Sequence, residues 1–401
     1  FYPGATLDVQ GAVSLINDGR ITFGGSGKSH LSHGSATAPL LYDVPAGMSL
    51  TVTPSGSNAF DYTVVNQAAN PMKDIVMTFN SFVAVVDAVD SHVSDHFLLP
   101  VTDAPRSRRS KWAHSAWLKG FGATAEYKTT ATQIGHTNRT YGMIAGMDGM
   151  IAGKFLLGGY AGFASNKLDT RNSTSITADQ QLGGIYSAWR YKKFYMNADI
   201  TGGMLRPNAT RTEIAGQTTG AYKTHYYGGG AGIGLIFNAW KGAQIKPAVS
   251  VRHMKAKMPG FAEHGASAMR LPDLSDALTQ GFLNMQVSQK FTILHGKPSM
   301  VDVMVGWKRN LQTPRENMEA AFVSDPSTTV TLEGGAYDKD IAVAGLAFSV
   351  AIRRNIILGL GCEWEIADAI SVSKSSVIPP SFDTTSTRTR FNAHFTVRYL
   401  W

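Results

Sequence analysis

Three aspartates, Asp87, Asp90 and Asp95, and two histidines, His92 and His96, ride on a stretch whose apolar residues repeat at helical spacing. Ile75, Phe79, Phe82, Val86, Val89, Val93 and Phe97 recur at intervals of three and four, which places them on one stripe. Carboxylates on such a helix call for cations, water or hydrogen-bond donors, because a bare charge at apolar depth is expensive. They do not read as catalytic. Neither Gly-x-Ser-x-Gly nor His-Glu-x-x-His occurs, and the 11 histidines are scattered singly. Cys362 is the one cysteine, so no disulfide within the chain and no Cys-based metal site is expected. The sequence calls for no catalytic residues, no metal and no cofactor.

The helix must be positioned by something other than lipid. Asn70 and Pro71 form a start signal, and Pro100 closes the segment. At 1.5 Å per residue its length is roughly 35 to 40 Å, enough to cross a hydrocarbon layer. Its aspartates and histidines would then sit at membrane depth, where charges are found only against protein or water. The alternative is an amphipathic surface helix packed on a neighbouring β-region.

From Trp112 onward the period changes to two. The last segment, Phe391 to Trp401, puts Phe391, Ala393, Phe395, Val397, Tyr399 and Trp401 on one face and Asn392, His394, Thr396 and Arg398 on the other. Residues 194–200, 245–251, 301–307 and 356–366 alternate in the same way, with Asn197, Asp199, Lys246, Ser250, Asp302, Glu363 and Glu365 on the polar side. Charge on one face and Val, Ile or Trp on the other is the pattern of a transmembrane barrel. No run of 18 apolar residues occurs and mean hydropathy is −0.09, which excludes a spanning helix but not alternating strands.

Short connections at 153–154, 191–193, 241–242 and 353–355 alternate with longer polar ones at 129–139, 167–177, 258–275, 312–335 and 367–386. That asymmetry predicts short turns on one rim and long loops on the other. Twelve strands are expected, at 112–128, 141–152, 155–166, 178–190, 194–205, 221–239, 243–256, 278–292, 299–311, 339–352, 355–366 and 387–401, with ten or fourteen as the alternatives. The glycines, 41 in all, fit a crowded interior, and Gly228 to Gly234 belongs to that class rather than to a phosphate loop. The net charge of +8 suits lipid phosphates. The basic residues are scattered rather than gathered into a nucleic-acid surface, and only 106–111 forms a dense run, read as a solvated linker.

Residues 1–69 carry short strand-like pieces at 12–16, 20–23, 49–53 and 62–65, punctuated by Gly, Pro and Asn-Asp-Gly. They read as β-rungs or a piece of a sandwich, the end of something longer. Residues after Phe1 show no basic region followed by an apolar one, so any export signal has been removed or lies upstream.

In the order of its parts, residues 71–401 resemble the monomeric autotransporters of Gram-negative bacteria, the type V secretion proteins. The likeness rests on the helix directly before the strands, on Ser115-Ala-Trp117-Leu-Lys119-Gly-Phe-Gly122, similar to a Trp-x-Arg/Lys-x-x-Gly first strand, on Gly306-Trp-Lys-Arg309, and on the terminal alternation. The resemblance implies an all-β fold, a 12-stranded antiparallel transmembrane β-barrel with an N-terminal α-helix in its lumen, preceded by a short β-rich passenger remnant. It implies three parts: 1–69 the end of the passenger, 70–111 the lumenal helix and basic linker, and 112–401 the barrel. Phe391, Phe395, Val397, Tyr399 and Trp401 would be the signal read by the outer-membrane assembly machinery, with Trp401 where Phe is commonest. Some members cut the passenger within the helix at an asparagine. Asn80 is the candidate here, followed by Ser81 instead of a second asparagine, which favours a plain polar role.

A polar lumen would admit the helix. Phe82, Val86, Asp87, Asp90 and Asp95 would then face the barrel wall, with Lys119, Lys246, Arg252, Lys308 and Arg398 as candidate partners. The expected function is export of the chain's own N-terminal passenger to the cell surface, followed by plugging. The expected partners are outer-membrane lipids and lipopolysaccharide, periplasmic chaperones and the assembly machinery, for a monomer that binds no nucleic acid. The alternatives are a passive outer-membrane porin or channel and, with less support, a barrel-type hydrolase.

Overall fold

A computed structural model describes residues 72–98, 112–128, 135–170, 174–213, 216–265, 268–293, 296–315, 317–324, 326–327, 329–333, 337–353, 355–367 and 388–401, and the backbone of seven short strands between Thr6 and Asn66. Twelve long strands make the barrel. They are β1 (Trp112–Tyr127), β2 (His136–Ile151), β3 (Phe155–Thr170), β4 (Thr174–Tyr191), β5 (Phe194–Glu213) and β6 (Thr224–Leu235), followed by β7 (Ala243–Met258), β8 (Leu274–Ile293), β9 (Lys297–Gln312), β10 (Asp340–Arg353), β11 (Ile356–Ala367) and β12 (Arg388–Leu400). Each pairs antiparallel with its neighbour in sequence, and β12 returns to pair with β1 from Leu400↔Ser115 to Arg388↔Tyr127. The seam is completed by two further bonds, Trp401 N to His114 O at 3.1 Å and His114 N to Trp401 O at 3.3 Å. The wall therefore has no free edge, the condition under which strands can stand in hydrocarbon.

The alternation read from sequence is the alternation of environment. Phe391, Phe395, Tyr399 and Trp401 point outward and exposed, while Arg390, Asn392, Thr396 and Arg398 are buried inward. Phe163, Ile185, Ile200, Leu283 and Leu360 continue the outer band around the wall. Several strands run past the segments that alternate. β2 begins five residues before the expected 141, and β5 ends eight residues beyond the expected 205. The extra residues stand at the long-loop rim, where both faces of a strand meet water or protein loops and the apolar alternation has no reason to persist.

Two of the long connections are not irregular. Phe261–Ala262, Met269–Leu271, Asn317–Phe322 and Thr329–Glu333 form a small four-stranded sheet over that rim. Its Met269, Leu271, Phe322 and Leu332 are buried in one cluster with Ile75 and Phe79 of the helix. The expectation of polar loops at 258–275 and 312–335 is corrected accordingly.

Inside the wall, large rings lie across from glycines. Trp117 faces Gly146, Tyr160 faces Gly184 and Tyr186 faces Gly158 in direct register on neighbouring strands. A Cβ at Gly146 would stand 2.5 Å from the Trp117 ring and 2.8 Å from the Gly159 carbonyl oxygen. Absence of a side chain thus makes room for the lumenal aromatics, the close approach expected of strand glycines.

Near the N terminus, the expected pieces at 12–16, 20–23, 49–53 and 62–65 correspond to strands Val13–Asn17, Arg20–Phe23, Met48–Gly56 and Ala59–Asn66. Thr6–Gln10, Gly27–Ser32 and Tyr42–Asp43 complete two small sheets.

Replacing Gly146 by Ala should destabilise the barrel by about 1 to 3 kcal/mol, as overpacked interiors do. Gly159→Ala, whose nearest neighbour would be 3.5 Å away, should change little. Urea unfolding of the refolded barrel, followed by heat-modifiable electrophoretic mobility, measures the contrast.

Candidate functional site: the helix-filled lumen

Helix α1 (Met72–Leu98) runs through the barrel. Its direction is fixed by its contacts. Asn80 meets Tyr127 and Arg388, at the long-loop ends of β1 and β12, while Ser94 meets Lys246 and Gln286, near the short-turn rim. The residues before the helix are therefore on the long-loop side, and Ala59–Asn66 lies against Thr329–Glu333 of the loop sheet.

Because protein surrounds it, the helix is buried almost all round. The apolar stripe from Ile75 to Val93 is buried, and so are Met77, Val83 and Val85 off that stripe. A surface amphipathic helix would leave one face exposed, so that alternative is set aside. The side chains of Asp95 and Phe97, and the basic run at 106–111, lie outside the described residues.

Aspartates on the helix meet cations on the wall. Arg252 of β7 donates to Asp87 at 3.0 Å and to Asp90 at 2.9 Å through separate guanidinium nitrogens. Lys308 of β9 lies 3.8 Å from Asp87, 2.8 Å from Glu363 and 2.7 Å from Glu365. Arg390 of β12 reaches Asp87 at 3.5 Å and Glu365 at 2.9 Å, and Arg388 reaches Glu365 at 3.2 Å. These ion pairs link four cations to four carboxylates, of which the helix supplies two. The wall alone would hold four cations against two carboxylates. Asp199, beside Arg252 but beyond ion-pair distance, leaves the sign of that imbalance unchanged.

Asp87, Glu363 and Glu365 have carboxylate oxygens close enough to enclose a cation. The Lys308 ammonium already takes that position, so the cluster reads as an ion-pair network instead of a metal centre.

Other candidate partners fall differently. Lys119 donates to the Ala88 carbonyl at 2.7 Å and to the Ser91 hydroxyl at 3.1 Å, and Lys246 donates to the Ser94 hydroxyl. Neither makes its contact to an aspartate of the helix in these bonds. Arg398 is buried on the lumenal face of β12. Phe82 sets its ring edge-on to Tyr226 at 5.8 Å, and Val86 is fully buried. Asn80 donates its amide to the Tyr127 hydroxyl at 3.0 Å, while Arg390 approaches its backbone carbonyl at 3.5 Å.

A second anchor was not anticipated. His92 Nε2 lies 2.8 Å from Asp148 Oδ2, and its ring stacks on Trp117 with centroids 4.4 Å apart. Tyr186 donates to the same Asp148 oxygen at 2.7 Å, Trp117 donates to the Tyr186 hydroxyl at 2.9 Å, and Ser115 donates to the other Asp148 oxygen. His92 and Asp148 were visible as polar residues in apolar surroundings, but their pairing needs the register of β2 and the rotation of the helix. The helix does not fill the lumen: a cavity of about 200 Å³ remains beside it, with Asp90, Ser94, Arg252 and Glu363 on its wall.

The sequence profile of the autotransporter β-domain family matches residues 116–363, more than half of the chain. The chain belongs to that family. Its fold is similar to the translocator domain of the autotransporter NalP from Neisseria meningitidis, with a TM-score of 0.54 and 15% identity over 79% of this chain and 98% of that one. It is also similar to the β-domain of the Bordetella autotransporter BrkA, with a TM-score of 0.54 and 14% identity over 72% of this chain and 100% of that one. No curated protein sequence matches it. Membership makes this barrel an outer-membrane translocator of a Gram-negative bacterium, from a family of transport barrels with passengers.

Above the lipid belt of this autotransporter β-domain, Asp74 in the first turn of α1 is fully buried, and neither carboxylate oxygen has a hydrogen-bond partner among the described residues. Burial first, and loop residue Glu263 second, hold its pKa well above the ordinary carboxylate range. A raised acid binds protons better in the folded state, so its contribution to stability rises as pH falls through that raised value and is lost toward neutral and higher pH.

Two outcomes follow from this geometry. Arg252→Met should loosen helix docking by about 2 kcal/mol, between the values for exposed and fully buried pairs. Adding Asp90→Asn should restore most of that loss, read by protease release of the helix in a double-mutant comparison. Asp74→Asn should protect amides 73–82 against hydrogen exchange at neutral pH, and its advantage over the parent should shrink as pH falls. That difference isolates Asp74 from Lys73, whose ammonium burial lowers to about 8.

Proposed function

We propose that this translocator carries the residues upstream of α1 to the outer face of the outer membrane and then retains α1 as a plug. The carrying observation is the direction of the helix. Its N-terminal end lies at the long-loop rim, whereas β1 begins and β12 ends at the short-turn rim. In an outer-membrane barrel the long loops face outward, so the chain before Met72 emerges on the outer side. The charge balance supports retention, since the wall's excess of cations is met by Asp87 and Asp90 only when the helix is in place.

In this reading residues 1–69 are the end of the passenger, 70–111 the plug and its linker, and 112–401 the barrel. The outward residues of β12 through Trp401 are the part offered to the assembly machinery, and Asp95 extends the acidic face of the plug. Asn80 acts as an anchor: a cut through its side chain would first require its amide to leave Tyr127.

Planar-bilayer conductance with and without residues 71–98 tests the reading. The helix-deleted barrel should conduct severalfold more than the full chain. An unchanged conductance would overturn the plug and favour a porin.

A further inference from the structure

Three consecutive turns on the short-turn rim, between β2 and β3, β4 and β5, and β6 and β7, present Lys154, Lys192, Lys193 and Lys241, all exposed. The Lys154 and Lys192 ammonium groups lie 6.0 and 5.4 Å from the centroid of one ring, Tyr191, and Lys193 lies 5.7 Å from that of Phe237. Trp189 stacks on Tyr191 with centroids 5.8 Å apart and planes at 4°. Trp189, Tyr191 and Phe237 are on the outer, lipid-facing side. Of the carboxylates on the adjoining strands, Asp148 and Asp199 are buried inside, and Asp169, Asp179 and Glu213 lie toward the opposite, long-loop ends of β3, β4 and β5. Among the described residues none of the four lysines has an ion-pair partner.

Backbone geometry fixes where one of these side chains begins. Lys192 has φ of 55°, in the left-handed region that Gly or Asn occupies with less strain. A lysine there is less favourable than a residue suited to the turn. Ala152, in the turn between β2 and β3, has φ of 52° as well, so the left-handed conformation belongs to these tight turns, and at Lys192 it sets a charged side chain at the tip of one. Tyrosine and tryptophan mark the hydrocarbon edge, and ammonium groups just beyond them stand at the depth of lipid phosphates.

We propose that this facet is a binding site for an anionic glycerophospholipid of the inner leaflet, its phosphate between Lys154 and Lys192 and its acyl chains along Trp189 and Tyr191. The assignment to the inner leaflet rests on the orientation argued for the translocator, with short turns toward the periplasm. The chemistry of the facet stands apart from plugging.

The full chain, reconstituted in nanodiscs of phosphatidylethanolamine mixed with phosphatidylglycerol or cardiolipin, should retain the anionic lipid preferentially in native mass spectrometry. Each lysine near a lipid surface contributes about 1 kcal/mol. The Lys154→Gln, Lys192→Asn, Lys193→Gln combination should therefore lower that retention by about a hundredfold. Lys192→Asn alone, which suits the left-handed turn, should lower it about fivefold and serves if the combination does not fold. Lys257→Gln, on the long-loop rim, should leave it unchanged. Equal retention by the lysine variants, or no anionic preference in the parent, overturns the proposal, including in favour of an acidic protein partner.

Lipopolysaccharide phosphates of the outer leaflet share the chemistry, and labelling separates the sources. In a Cys362→Ser background, Lys192→Cys should resist a membrane-impermeant maleimide on intact cells and react once the outer membrane is opened. Reaction on intact cells overturns the inner-leaflet site. A helix deletion that fails to raise conductance while anionic preference persists would defeat the plug reading and leave this one standing.

Discussion

Pairing of the backbone around a closed ring is the constraint on which the rest depends. Every N–H and C=O in hydrocarbon must find a partner within the protein, and an open sheet would leave two rows unsatisfied. Here the last strand meets that demand as far as its final residue, where Trp401 exchanges both backbone bonds with His114. Closure also fixes parity. Once β12 is registered on β1, Arg390, Asn392 and Arg398 must point inward and Phe391, Phe395 and Tyr399 outward, because a slip of one residue would exchange the two sets.

A closed wall with polar residues inside creates a second demand. Lumenal charges need partners, and twelve strands enclose more space than side chains alone fill. The molecule meets it by two means. Rings such as Trp117 and Tyr186 lie across from glycines and fill the region near β1 to β5, and the helix occupies the remainder apart from the cavity beside Arg252. Helix and wall then meet through a mixture of apolar packing, ion pairs and single hydrogen bonds. That mixture explains why the apolar stripe, sound as a helical signal, gives no guide to which face is covered: in a lumen every face is.

Barrel strands were legible because lipid on one side and protein on the other force a period of two, and all twelve expected segments correspond to strands. Legibility fades where that force ends. The extensions of β2 and β5, and the sheet formed by Met269–Leu271, Asn317–Phe322 and Thr329–Glu333, lie above the lipid, where short alternating pieces look like polar loops. The lumen was legible only by type. Asp87 and Arg252 could be named as opposite charges, but Arg390 bridging Asp87 to Glu365, and His92 seated on Asp148, depend on register, helix rotation and depth together.

Those details bear on how the helix can be held specifically without a tight fit. A helix held by apolar packing alone could slide or turn at little cost, since Val, Phe and Ala offer many equivalent surfaces. Placing cations on three strands, β7, β9 and β12, around Asp87, and a separate Asp148 on β2 against His92, fixes both rotation and depth. Moving the helix by one residue would carry Asp87 about 1.5 Å along the axis and turn it by about 100°, away from all three cations at once. The segment from Asp87 to His92 meets both anchors together. The final position of the chain in the barrel is thus written in a few polar side chains, while the apolar majority of the helix supplies bulk.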